Sequence, residues 1–202
     1  SIDGETYNGV YDVFVAKYNS SGTRQWTRLM GTGEQETCSG IAVDGSENVY
    51  FAGATYGDFD GHLNTDQGSP RTKTDIFLVK FNSSGTKQWS VLHGGAGSDV
   101  VYGMAVDSGG NVYMNGNTNA DLDGQVNSGS HDSILLKYSA AGVRQWTRML
   151  GTSSGEYARG MAVDSGDNAF ITGFTSGNLD GVTNSGGNDG FIVKYNTSGN
   201  LQ

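Results

Sequence analysis

Apolar residues in this chain fall in short alternating runs and never in a long one. In "NVYMNGNT" (111–118), Val112 and Met114 fall on one face of an extended chain, and Tyr113 and Asn115 on the other. The longest uninterrupted apolar runs are of the kind Ile76-Phe77-Leu78-Val79. No segment sustains a 3.6-residue apolar period, so the pattern predicts strands and no helices. One stretch reads as four of them: 102–107, 111–118, 133–138 and 143–150. The connections "SGGN" and "SAAG" are Gly-bearing and of hairpin length, which predicts antiparallel neighbours. The second and third strands are joined by a longer loop.

The same pattern recurs. Gln-Trp stands at 25–26, 88–89 and 145–146, a spacing of 63 and then 57 residues. Ala-Val-Asp keeps that spacing at Asp44, Asp107 and Asp164. Lys17, Lys80, Lys137 and Lys194 mark one strand in four copies, and Asp-Gly recurs at Asp3, Asp60, Asp123 and Asp180. The unit is about 57 residues of four short strands, the signature of a β-propeller blade. The one long copy carries its six extra residues between Asp60 and Asp75, with the sole proline, Pro70, beside Arg71 and Lys73. It reads as a loop elongation.

"DIFLVKFNSSGTKQW", "GMAVDSGGNVY" and "GNLDGVTNSGGND" carry a resemblance to the bacterial β-propeller repeat family abbreviated SBBP, over essentially the whole chain. The resemblance implies an all-β propeller of four-stranded antiparallel blades, typically seven of them. The segment "GIAVD…NVY" also resembles the inner strands of NHL-type blades. By that analogy Ile41–Asp44 and its copies line a central channel, and the Gln-Trp strand is outermost. Residues 1–30 are then the outer strands of a first blade. Residues 31–93 form a second blade, 94–150 a third, and 151–202 a fourth without its last strand. Thirteen strands do not close a propeller of at least about four blades of four strands. The favoured expectation is a segment of a longer protein; strand sharing with neighbouring copies is the alternative.

Composition narrows the function. Gly supplies 33 of 202 residues against a typical ~7 %, and Pro one, which fits many tight turns. With 12 basic and 21 acidic residues the net charge is −9, which argues against nucleic acid and anionic membrane as partners. No apolar run nears the ~18 residues that span a bilayer. Cys38 is alone, so no internal disulfide forms. His62, His93 and His131 occupy different repeat positions, and no nucleophile elbow, phosphate loop or Cys/His cluster is visible.

One loop offers chemistry. Aligned on Asp-Gly, the copies read "YGDFDGHLN" (56–64), "NADLDGQVN" (119–127) and "SGNLDGVTN" (176–184). Alternating oxygen side chains followed by Gly at the sixth position follow the logic of EF-hand-like calcium loops. The second copy, Asn119, Asp121, Asp123 and Asn127, is the best candidate. Asp58, Asp60 and Asn64 stand behind it, as do Asn178, Asp180 and Asn184. The twelfth position holds Gln67, Ser130 or Gly187 and never a bidentate Glu. Asp and Asn also form turns by themselves, and Asp-Gly is a common turn dipeptide. Both explanations repeat with the unit, and the decay of the motif weighs toward the turn.

Other repeated residues carry simpler expectations. Trp26, Trp89 and Trp146 are read as blade-to-blade packing, with a carbohydrate platform as the sharper alternative. Arg24 and Arg28 flank Trp26, and Arg144 and Arg148 flank Trp146, so guanidinium–indole stacking is expected. Asn19, Asn82 and Asn196 open N-x-[ST] sequons on hairpin turns. Asp12, Asp75, Asp132 and Asp189 are expected to tie blades together. The leading function is a non-enzymatic extracellular or cell-surface scaffold, structural, adhesive or interacting, with copies of itself or glycans as partners and filament formation as a subform. A calcium-dependent carbohydrate-binding propeller and a piece of a larger propeller enzyme are the alternatives.

Overall fold

The computed structural model describes residues 2–69 and 71–202; Pro70 lies outside them. Among the described residues, all regular elements are strands. Val13–Tyr18 (β1) pairs with Arg24–Met30 (β2). Glu36–Val43 (β3), Val49–Thr55 (β4), Asp75–Phe81 (β5) and Lys87–His93 (β6) form a four-stranded meander. Asp99–Val106 (β7), Val112–Thr118 (β8), Asp132–Tyr138 (β9) and Arg144–Leu150 (β10) form a second. Glu156–Val163 (β11), Ala169–Thr175 (β12) and Asp189–Tyr195 (β13) complete the set. Every pair within a sheet is antiparallel.

The sheets stack face to face, and the alternation decides which residue meets which neighbour. Val112, Met114, Ile134 and Leu136 pack against Tyr50, Ala52, Ile76 and Leu78 of the preceding sheet. From the same strands, Tyr113 and Leu135 turn the other way and join Ala158, Ala169, Ile171 and Tyr195 of the following sheet. A third core joins Val13, Val15 and Trp26 to Phe51, Phe77, Phe81 and their neighbours. Burying each such side chain is worth about 1.5–3 kcal/mol, so the cores between sheets hold the array together.

The first strands adjoin one another, β3 against β7 and β7 against β11. Gly40 permits the approach: a Cβ there would lie 2.8 Å from Cγ of Met104. The Gln-Trp strands β6 and β10 lie at the far edge of their sheets. Sheet is joined to sheet by backbone as well. The N–H groups of Glu36, Asp99 and Glu156 donate to the carbonyls of Tyr11, Thr74 and His131, just before the third strand of the preceding sheet.

The first strands begin earlier than the apolar pattern predicts, at residue 99 rather than 102 in the central sheet. The reason is a buried acid. Glu36 Oε1 accepts from the hydroxyls of Thr32 (2.6 Å) and Thr55 (2.7 Å), and Glu156 Oε1 accepts from Thr152 and Thr175 (2.7 Å each). Asp99 sits at the same place and accepts the Gly95 N–H at 2.7 Å. A charged residue at a strand start reads as loop in the sequence and is core here.

Candidate functional site

The Asp-Gly loops are tight two-residue hairpins. Leu122 and Gln125 exchange both backbone hydrogen bonds around Asp123-Gly124, whose φ values are +53° and +80°. Two positive φ angles in succession suit the type I′ turn that Asp-Gly favours. Phe59-His62 and Leu179-Val182 repeat the arrangement. Phe59, Leu122 and Leu179, between the two candidate ligands of each copy, are buried plugs. Phe59 stacks on Phe77 with ring centroids 4.6 Å apart.

The candidate oxygens serve these loops. Oδ1 of Asp58, Asp121 and Asn178 accepts the N–H of Asn64, Asn127 and Asn184 at 2.8–2.9 Å. The amides of Asn64, Asn127 and Asn184 donate to the carbonyls of Thr55, Thr118 and Thr175. Their Oδ1 atoms accept from Asp66, Gly129 and Gly186. Asn119 Oδ1 accepts the Ser98 N–H at 2.7 Å. Asp123 accepts from the Thr147 hydroxyl and pairs with Arg144 at 2.9 Å. Asp60 pairs with Lys87 and Ser90 in the same way. Arg71, from the elongated loop, holds Asp58 by two bonds of 2.9 and 3.0 Å and keeps its carboxyl well below the usual range. Asp180 forms no ion pair among the described residues. Among the described residues no group of three or more His, Cys, Asp or Glu side chains is placed to hold a metal ion.

The acids that head the third strands act within their own sheet. Asp12, Asp75, Asp132 and Asp189 accept the N–H of Asn8, Thr65, Ser128 and Ser185, each in the long loop of the same sheet. The expectation that they bridge blades is therefore corrected; backbone bonds do that. Burial pushes the Asp75, Asp99 and Asp132 carboxyls up.

The tryptophans join sheets. Nε1 of Trp26, Trp89 and Trp146 donates to the carbonyls of Ser83, Ala140 and Thr197, in the hairpin of the following sheet, at 3.1–3.2 Å. Lys17, Lys80 and Lys137 donate to the same three carbonyls. Gly85, Gly142 and Gly199 lie beneath the indoles, all at φ of +77° to +80°, and a Cβ there would sit 2.7–3.0 Å from the ring. Arg28 and Arg148 stack on the indoles as expected, 5.8 and 5.3 Å from the ring centroids. Arg24 and Arg144 do not; they turn to Asp3 and Asp123. Asn19, Asn82 and Asn196 use Oδ1 to close their own exposed turns.

The first strands also vary from copy to copy. Each first strand carries a bulge: the register skips Ser39, Tyr102 and Arg159 between Cys38/Gly40, Val101/Gly103 and Ala158/Gly160. A bulge re-aims its side chain. These three equivalent residues are exposed and share no chemistry, in contrast to the constant Gly that follows each. Sequence reasoning missed them because a bulge breaks the two-residue period. The constant Gly after a variable residue was the available signal. The histidines stay apart: His62 contacts Ser90, His131 contacts Tyr157, and His93 lies 3.1 Å from Asp123 without hydrogen-bond alignment. Burial draws the His93 pKa down against the pull of Asp123.

The sequence model described as "Beta-propeller repeat" (SBBP) matches residues 25–60, 88–123 and 145–180. The regulatory protein FlaEY of Caulobacter vibrioides is 28 % identical over 81 % of this chain and 18 % of its own length. An uncharacterized WD repeat-containing protein, L264, of Acanthamoeba polyphaga mimivirus is 23 % identical over 87 % of this chain and 15 % of its own length. The chain thus spans less than a fifth of these curated relatives. A protein of unknown function from Bacteroides caccae superposes with a TM-score of 0.48 at 10 % identity, over 96 % of this chain and 57 % of its own.

Proposed function

Because the chain belongs to the β-propeller repeat family, matched over more than half its length, we infer that it is a non-enzymatic interaction scaffold that recognises a partner on its first strands. One observation carries the reading: a constant frame presents different side chains, Ser39, Tyr102 and Arg159, at one equivalent exposed position. Repeat folds stack like units into extended binding surfaces, and an exposed position that does no packing is free to differ from unit to unit. The regulatory and WD-repeat designations of the relatives fit this role. Display outside the cell or on its surface belongs to the proposal, as does association with further blades or other copies. Exposed apolar residues on the end sheets, Phe14 and Ile192, and Ile41 on β3 suit that association.

Cross-linking with mass spectrometry in native extract tests the reading. Partner cross-links should map to the first strands around residues 39, 102 and 159. Cross-links confined to the outer Gln-Trp strands would sink it.

A further inference from the structure

Six arginines are present, and five spend their guanidinium on the frame. Arg24, Arg28, Arg71 and Arg144 lie within 4.0 Å of carboxylates, and Arg148 donates to the carbonyls of Thr147, Ser198 and Gly199. Arg159 differs. Among the described residues it has no carboxylate within 4.0 Å, and its one hydrogen bond is to the carbonyl of its neighbour Ala158, at 3.3 Å. It remains exposed in a protein of net charge −9.

Its surroundings are built. The guanidinium carbon lies 4.5 Å from the ring centroid of Tyr102, 5.2 Å from Phe174 and 5.8 Å from Tyr157. Tyr157 stacks on Phe174 at 5.0 Å and is held by a 3.2 Å contact from its hydroxyl to His131 Nδ1. Rings against the face of a guanidinium leave its edge donors for a ligand. The strand beneath is braced at both ends. Asn117 donates to the carbonyl of Glu156, and Asn115 donates at 3.3 Å to the carbonyl of Gly160, on either side of the Tyr157–Arg159 segment. Both asparagines are at most 1 % exposed, and the Oδ1 of each has no protein partner among the described residues. Burying two incompletely satisfied amides costs stability, and the second sheet has Ala52 and Ala54 there instead.

We propose that Arg159, in its cage of Tyr102, Tyr157 and Phe174, binds a single carboxylate of a partner polypeptide, with an apolar or aromatic side chain beside it on the exposed ring of Tyr102. This rests on the scaffold reading and names the chemistry it recognises. A guanidinium edge matches a carboxylate through two parallel hydrogen bonds. One such fork on an acidic protein balances a monoanion; a dianionic phosphate calls for further cations. The carboxylate comes from the free carboxyl end of the partner polypeptide or from one of its Asp or Glu side chains.

Three peptides test this: acetyl-Ala-Ala-Phe with a free carboxylate, the same peptide amidated, and acetyl-Ala-Glu-Phe-amide. Binding is followed by nitrogen-15 amide shifts. One or both acidic peptides should bind and shift residues of β7 and β11, and which of them binds identifies the source. The amidated, acid-free peptide should not bind. Arg159→Gln and Arg159→Lys should each weaken binding by about tenfold or more, and Tyr102→Ala by less, with unchanged melting temperature for the Arg159 variants. Equal binding of the acidic and amidated peptides overturns the proposal. So does equal binding by Arg159→Gln, or preference for inorganic phosphate over both acidic peptides. If all peptides fail while partner cross-links still map to the first strands, the carboxylate assignment falls and the scaffold reading stands.

Discussion

The junction between the second and third sheets and the junction between the third and fourth are built on one plan and filled differently. Both carry the Trp-to-carbonyl bond, the Lys bond to the same carbonyl, and the backbone link into the next first strand. The earlier junction holds a core of Tyr50, Ile76, Leu78, Val112, Met114, Leu122, Ile134 and Leu136. The later one has fewer buried apolar residues and places Asn115 and Asn117 where the earlier has alanines. Fixed edges carry the architecture, and the middle of a junction differs from one to the next. Arg159 stands in front of the weaker middle.

The largest test uses two neighbouring residues of one strand. Leu136 faces the earlier junction and Leu135 the later, and each is at most 1 % exposed. Leu136→Ala should cost about 3–5 kcal/mol in urea unfolding, and Leu135→Ala about 2–3 kcal/mol. Equal losses would break the comparison. A shared-frame change comes next. Gly142→Ala forces a Cβ at positive φ to within 2.9 Å of Trp89 and should cost about 2–3 kcal/mol, with Trp89 fluorescence reporting the displaced ring. The double change Asn115→Ala, Asn117→Ala should stay within about 1 kcal/mol of the unaltered protein, because it removes two unpaired oxygens along with two hydrogen bonds. It should nonetheless weaken carboxylate binding at Arg159.

A smaller effect concerns pH. Burial raises the Asp99 carboxyl in the folded state, helped by the charges of Asp75 and Asp123. A raised folded pKa means that the fold favours the protonated form. The penalty is therefore absent below the unfolded value of about 3.9 and enters as pH rises through the folded value. Asp99→Asn should then melt at or above the unaltered protein at pH 7, the difference shrinking toward pH 4; a lower melting temperature at pH 7 would refute this. The half-buried acids Asp44, Asp164 and Asp189 are lowered instead and work in the opposite direction as pH falls. The smallest expectation is for calcium. The loop oxygens are already acceptors within the turns, so chelator should leave the melting temperature unchanged. A calcium-dependent rise lost in Asp121→Asn would place an ion in the second copy of the loop.

The strands, the hairpins and their repeat were legible because period-two alternation and Gly-bearing turns act locally. Val112 and Met114 do part from Tyr113 and Asn115, each pair facing a different neighbour. The Asp-Gly turn was legible for the same reason. What the sequence hid depends on the neighbouring sheet. Glu36, Asp99 and Glu156 look like loop acids until the threonines around them and the preceding sheet's carbonyls are in place. Arg24 and Arg28 stand symmetrically about Trp26 in sequence, yet one finds Asp3 and the other the indole. Arg159 announced nothing, since its partners Tyr102 and Phe174 are remote in sequence and a bulge turns it toward them.

The bond from each tryptophan to the next hairpin has a direction. Three sheets each offer an indole, and each time the next sheet receives it with a carbonyl above a glycine, so contacts of this kind run head to tail only. A two-fold dimer cannot use them, because it would set indole against indole. A duplicated unit, by contrast, arrives with both halves of the joint already made. Growth of such an array by repetition needs no new interface, which leaves mutation free to work on residues such as Ser39, Tyr102 and Arg159 that the joint does not touch.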